Sequence, residues 1–263
     1  MQIDAITPPA YITSATFATI VSNFPAASYS GKVAFATDIG PRGSPVFSNG
    51  TNWRIQTGFA YASSAMNIVP GLSGATYSQT ATTVTVTWTA HGMTSEFDGA
   101  NCYLVQSTGA LVSGWFTNWT YVDANTFTVT SSVSQTTSGN LGTNTSETFL
   151  PTSYTIPATA GFLVAGDNIN LVGFTRNKNS ANTKTTKAYY GNSVIFTGNA
   201  TTSTNWVSAS PSTLLYISST KAIANGIALF APADTVCKYS GTLTNSGDWM
   251  VVVFARVSLG PAT

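Results

Sequence analysis

The sequence predicts an all-β protein, and three observations carry that expectation. Short β-prone runs recur along the chain, separated by Gly, Asn, Ser and Pro at roughly 8–12-residue spacing. Helical periodicity is confined to one short stretch. Charged residues make up 7% of the 263 residues, against about 25% in an ordinary globular domain. Neutral Thr, Ser, Asn and Gly must therefore cover the surface. Ten Lys plus Arg against nine Asp plus Glu leave a formal charge of +1. That balance excludes a charged disordered tail, a Glu/Lys coiled coil and long-range attraction to nucleic-acid phosphates.

The elements follow in chain order. Residues 14–22 are the one plausible helix, with Ser14 as its cap and Pro25 as its stop. Residues 32–37 alternate, placing Val33, Phe35 and Thr37 on one face and Lys32, Ala34 and Ala36 on the other. Residues 38–43 then read as a turn. Residues 45–47 and 52–55 flank Asn49-Gly50, a two-residue hairpin signal. Residues 83–89 and 126–130 are Thr/Val alternations of full strand length. Later strands are expected at 169–175, 186–190, 193–197, 204–209, 214–218, 235–239 and 249–257.

Residues 58–75 are small and Gly/Ser/Ala-rich, and residues 131–148 are polar and low in complexity, so the latter read as a linker or long loop. These suggest three regions: 1–60, a segment with the hairpin motif; 61–148, a small β-barrel or sandwich module; and 149–263, a β-sandwich. Cys102 and Cys237 are too few for a disulfide framework and read as buried thiols. The first basic side chain is Lys32, so no secretory signal is expected, and no run of 18 apolar residues calls for membrane insertion.

Catalytic residue types are sparse. The single histidine, His91, follows a strand and precedes Gly92, which marks a polar turn position. One His with two distant Cys does not make a metal site. Glu96 and Asp98 would point the same way if that segment were extended, roughly 6–7 Å apart, as a glycosidase pair could; Ser95 and Gly99 bracket them and favour a solvated loop. Gly-rich phosphate loops are absent. The sequence is read as a non-enzyme with no catalytic, cofactor-binding or metal residues. Four of the ten basic residues, Arg176, Lys178, Lys184 and Lys187, cluster in 176–187. They read as a solvated hairpin loop that resists edge aggregation, or as a contact to an acidic glycan.

Aromatic rings are the remaining binding candidates, because sugars stack C–H faces on them. Alternation puts Trp115, Thr117, Trp119 and Tyr121 on one face. Trp115, Trp119, Tyr121, Tyr189 and Trp206 are the glycan-binding candidates, and each could equally belong to a core or a subunit face.

Three stretches resemble parts of tailed-bacteriophage tail fibre and receptor-binding fibre proteins. Residues 31–54 resemble a fibre motif of the form "V-T-D-x-G, then S-N-G-T-x-W", matching at Thr37, Asp38, Gly40, Gly43, Ser44, Ser48, Asn49, Gly50, Thr51, Trp53 and Arg54. Residues 84–93, ending His91-Gly92-Met93, and residues 123–130, Asp-Ala-Asn-Thr-Phe-Thr-Val-Thr, are similar to a small phage-tail module with "H-G-L" and "D-A-N-T-F-T-V-T". Met93 here replaces the usual Leu, a volume-conserving change. Residues 171–192 resemble a fibre head carrying "N-x-A-N-x-K-T", with Tyr190-Gly191-Asn192 where Phe-Gly-Gly is usual.

The resemblance implies a small N-terminal attachment region, a spacer module and a C-terminal jelly-roll-like β-sandwich head in a homotrimer. It makes His91 a module hallmark in a turn. It implies a virion component, made in the host cytoplasm, that joins a tail, baseplate or other virion protein through its N-terminal region and holds a bacterial surface polysaccharide. The Pro-rich stretch Thr7-Pro-Pro-Ala10 suits an extended docking segment. The alternatives are an architectural collar, neck or capsid fibre, and a glycan-degrading tailspike.

Overall fold

The computed structural model describes residues 11–39, 43–55, 61–156, 166–200, 206–208, 214–218, 221–224, 227–230 and 235–261. The Pro-rich segment 7–10, residues 40–42 of the expected turn and residues 204, 205 and 209 of the expected strand at 204–209 lie outside them. Within the described residues the protein is nearly all β, as the sequence predicts.

Four strands, β1 (Ser14–Ala15), β2 (Val33–Ala36), β3 (Ser44–Ser48) and β4 (Trp53–Ile55), form a small sheet in that order. The helix α1 (Phe17–Asn23) packs on it through buried Phe17 and Ile20. Its cap is Thr16, whose hydroxyl accepts the Thr19 N–H, while Ser14 pairs in parallel with Phe35 in the sheet. The cap shifts by two residues because Asp38 accepts the Phe17 N–H at 2.7 Å, fixing the first turn from across the sheet. On β2 the alanine face, Ala34 and Ala36, is the buried one. The β3–β4 connection is a four-residue loop, 49–52, since Ser48 pairs with Trp53. Asn49 Oδ1 accepts the Thr51 and Asn52 N–H groups, which widens the expected two-residue turn.

The next strands are β5 (Tyr61–Ala62), β6 (Met66–Pro70), β7 (Thr76–Thr87), β8 (Asn101–Leu104), β9 (Gly114–Asp123) and β10 (Thr126–Asn140). Residues 131–140, in the stretch 131–148 expected as a linker or long loop, are strand: after an irregularity between Thr130 and Gln135, residues 135–140 pair with residues 76–81 of β7. A polar tract becomes a strand here because a partner strand offers its backbone groups.

The remaining strands are β11 (Thr148–Ile156), β12 (Asp167–Asn177), β13 (Lys184–Tyr190), β14 (Ser193–Ala200), β15 (Val207–Ser208), β16 (Leu214–Ser218), β17 (Lys221–Ala224), β18 (Ile227–Phe230), β19 (Thr235–Leu243) and β20 (Trp249–Pro261). They make a sandwich. One sheet runs β11-β19-β13-β14; the other is the β18-β17-β16-β12-β20 part of a larger sheet. The chain crosses between the sheets from β11 to β12, β12 to β13, β14 to β15, β18 to β19 and β19 to β20, which gives the sandwich its jelly-roll-like weave.

That larger sheet does not stop at β20. It continues β20-β6-β8-β9-β10-β7, twelve strands in all with β5 and β15 at its side. Asn67 on β6 is fully buried, donating to the Val252 and Ala65 carbonyls and accepting from Asn101. Two apolar cores result. The first gathers Ile169, Leu171, Tyr239 and Phe254 between the sandwich sheets, together with Phe17, Ile20, Val46 and Trp53. The second gathers Val84, Val86, Phe97, Trp119, Phe127 and Trp249. A buried ion pair from Arg54 to Asp167 ties β4 to β12.

Candidate functional site

His91 lies in the loop that follows β7, where a turn position was expected, but it is fully buried. Its Nδ1 accepts the Met93 N–H at 3.0 Å, so the ring proton resides on Nε2 and is donated to the Asp123 carbonyl at 3.0 Å. Trp88, Trp119, Tyr121 and Phe127 wall the ring, with Phe127 5.7 Å away between centroids. Burial holds the imidazole below its ordinary value, against the opposing Asp123 carbonyl. Both nitrogens are engaged, so the ring offers no free base. The two matched module stretches meet at this point. Asp123 Oδ1 accepts the Asn125 N–H at 2.7 Å, Asn125 Oδ1 accepts the Ala90 N–H at 2.8 Å, and the Asn125 carbonyl accepts the Trp88 N–H at 2.7 Å. Asn125 is thus a clamp between the β9–β10 turn and the His91 loop.

Glu96 and Asp98 do not form a pair on an extended strand. Residues Ser95–Phe97 are a 3-10 turn, because Phe97 turns inward into the second core. Glu96 pairs with Arg176 and accepts the Thr94 hydroxyl, while Asp98 accepts the Tyr121 N–H at 2.8 Å.

The basic cluster at 176–187 is not a solvated hairpin. Lys184 is buried, with Nζ donating to Ser180 Oγ and the Asn182 carbonyl and lying 3.4 Å from Asp248. Burial pulls its ammonium below the usual lysine range, and Asp248 opposes that pull. Ser180 also donates to Asp248 at 2.9 Å. The Asn-Ser-Ala-Asn-Thr-Lys184 motif is therefore a loop wrapped around its own lysine. Lys178 donates to the Gly247 carbonyl at 2.7 Å, and Lys187 lies 3.4 Å from Glu147.

Between the His91 loop and the end of β12 lies a cleft of about 250 Å³. Thr94 and Glu96 line one wall, Arg176, Asn177 and Lys178 the other, with Trp249 between. Trp249 is held in place by its indole N–H, which donates to the His91 carbonyl at 2.8 Å. The sequence reading missed Thr94, Asn177 and Trp249 as a group. They come from three distant stretches, and only the β12–β20 pairing, Asn177 opposite Met250, brings the last two together.

The five aromatic candidates separate. Trp119 is fully buried in the second core and has no face left for a sugar. Tyr121 packs half-buried beside it. Trp115 is not on their face: Asn118 adopts φ 52°, which breaks the alternation, so Phe116 and Trp119 both point inward. Trp115 instead donates its indole N–H to the Phe149 carbonyl at 3.0 Å. Tyr189 is buried; its hydroxyl donates to Glu147, and its ring lies 5.2 Å from that of Phe149. Burial pushes that hydroxyl up to about 12, helped by the Glu147 carboxylate. Phe149, exposed and with the Lys238 ammonium 4.4 Å from its ring, thus joins Trp115 to Tyr189 in one outer patch. Trp206 is exposed and makes no ring contact with the other four among the described residues.

No known protein family matches the chain, and no curated protein matches it. Among solved structures it is similar to a chain of infectious bursal disease virus, Gx strain, at 14% identity over 88% of this chain and 69% of that one, with a TM-score of 0.19. A chain of the Gt strain shares 10% identity over 83% of this chain and 66% of that one, with a TM-score of 0.20. Superpositions that loose carry no argument about fold or function.

Proposed function

We propose that this chain is a structural component of a tailed-phage particle: a homotrimeric fibre, attached by its N-terminal region and gripping a bacterial surface glycan with its C-terminal sandwich. One observation carries the reading. Each stretch that resembles a fibre motif supplies the residues that lock its own part of the fold. Asn49 shapes the loop that leads to buried Trp53, and Trp53 donates to the Phe24 carbonyl at 2.6 Å. His91, Asp123 and Asn125 close the second core. Lys184 pins the loop after β12. Matches that fall on residues with such demanding positions support shared modules over chance agreement in a Thr- and Asn-rich chain.

The polar surface and the engaged Glu96 and Asp98 suit grip without turnover, with weak contacts multiplied across copies. Two measurements test this. Antibodies against the chain should label a fibre on purified particles, and the purified chain should compete with particle adsorption to host cells. Labelling of the capsid or neck, with no competition, overturns the attachment role. Digestion of host polysaccharide by the purified chain would overturn the non-catalytic one. A trimer mass by light scattering supports the assembly; a monomer at all concentrations refutes it.

A further inference from the structure

We propose that the cleft between residues 94–96 and 176–178 binds one ring of a carboxylate-bearing sugar, an inference that rests on the glycan-gripping reading and gives its ligand a charge. Three features point there. Asn177 is 1% exposed, lines the cleft, and its Oδ1 accepts no hydrogen bond among the described residues. Arg176 Nε is likewise buried and donates to nothing among them. A buried polar atom left unpaired is costly, and here an unmet acceptor and an unmet donor belong to adjacent residues that line the cleft. In this reading a ring hydroxyl donates to Asn177 Oδ1, and the ring carboxylate faces Arg176 and Lys178 at the mouth.

The charge follows by counting. Arg176 and Lys178 face Glu96, leaving one positive charge unbalanced at the mouth, in a chain whose charged residues are few. A monoanion such as a uronic acid cancels it; a neutral hexose does not. Size agrees: ligand pockets for drug-sized molecules run from roughly 300 Å³ upward, and this one, at about 250 Å³, suits a single ring. The site is also pre-organised. Trp249 is anchored to His91, Lys178 to Gly247, and the Arg176 guanidinium lies over the Phe97 ring at 5.4 Å.

The test titrates the full chain with glucuronate and with glucose, reading binding by ligand-observed NMR and the Arg176 Nε and Trp249 indole resonances directly. Glucuronate should bind at least tenfold more tightly than glucose and shift both resonances, and Arg176→Gln should weaken it at least tenfold. Equal binding of the two sugars, or shifts at Trp115 with none at Trp249, overturns the proposal. Wild-type and Arg176→Gln chains are then compared on host cells. If both bind equally, the cleft is not the grip, although the fibre reading survives. If neither binds, the grip reading itself fails, and the titration still decides whether the cleft takes the acid.

Discussion

Each of the two cores is closed by one buried polar side chain, and they do it with opposite electrostatics. In the second core His91 is neutral, boxed by four aromatic rings and satisfied by two backbone groups. Beside the sandwich core Lys184 is charged, so it needs a counter-ion, a hydroxyl and a carbonyl, and it sits where a loop can fold over it. A neutral lock can lie deep among aromatics. A charged lock must bring its own polar shell. The two share a support: Asp248 faces Lys184, and the next residue, Trp249, holds the His91 carbonyl. With the Arg54–Asp167 pair, a chain with few charges spends four of them in its interior among the described residues.

The comparison can be broken at either lock. Replacing Lys184 by Met strands Asp248 without its counter-charge, and urea denaturation should show a loss of about 3–5 kcal/mol. Adding Asp248→Leu should restore much of it. If Lys184→Met alone costs under about 1 kcal/mol, the charged lock is not one.

His91→Leu keeps bulk but leaves the Met93 N–H and the Asp123 carbonyl unpaired, for about 2–3 kcal/mol by the same measurement. The shared support is probed by Gly71→Ala. A Cβ there would lie 2.4 Å from the Ser246 carbonyl oxygen, beside the turn that carries Asp248. The two backbones must part, which should cost about 1–3 kcal/mol and lower the protection from hydrogen exchange of both cores.

Acid separates the locks. His91 is held below its ordinary 6.5 in the folded state, so the unfolded chain takes up the proton first. Its contribution is complete above about pH 6.5 and drains away as pH falls below it, with a slope of at most about 1.4 kcal/mol per pH unit. Glu147 follows in a lower window. Burial pulls its carboxyl up, but hydrogen bonds from Ser240 and Tyr189 and the charge of Lys187 outweigh it, so its contribution is lost below about pH 4.5. Urea midpoints between pH 7.5 and 5 should fall for the wild type and fall less for His91→Leu. The smallest expected effect is at Trp206→Ala, an exposed ring, where stability should move within about 0.5 kcal/mol.

Much of the fold was legible because Thr/Val alternation has a period of two and nothing else in the chain competes with it. Strands β12 and β20 each extend a run marked from sequence, and β7 starts well before its marked run 83–89 and ends at Thr87. Strand β6 escaped because Asn67 to Pro70 are all buried, so no alternation marks them. Strand β10 ran past its apolar half because β7 was there to pair with it. The bulge at Asn118 defeated the aromatic stripe, since one left-handed residue reverses every face after it. Lys184 escaped for a simpler reason: a lysine reads as exposed until the loop that folds over it and its distant counter-ion, Asp248, are seen around it. Of the aromatic candidates, Trp119 and Tyr121 meet around His91, and Trp115 and Tyr189 come together through a Phe149 that nothing in its local sequence singled out.

Strand β20 sets the timing of the whole molecule. It pairs with β6 across a separation of 185 residues at Asn67 and Val252, and it feeds Val251 to one core and Val252 to the other. A ribosome delivering this chain from its N-terminus therefore completes neither core until β20 emerges. The earlier strands must wait with β6 unpaired on one side, and the cell has to shield that edge until synthesis reaches it.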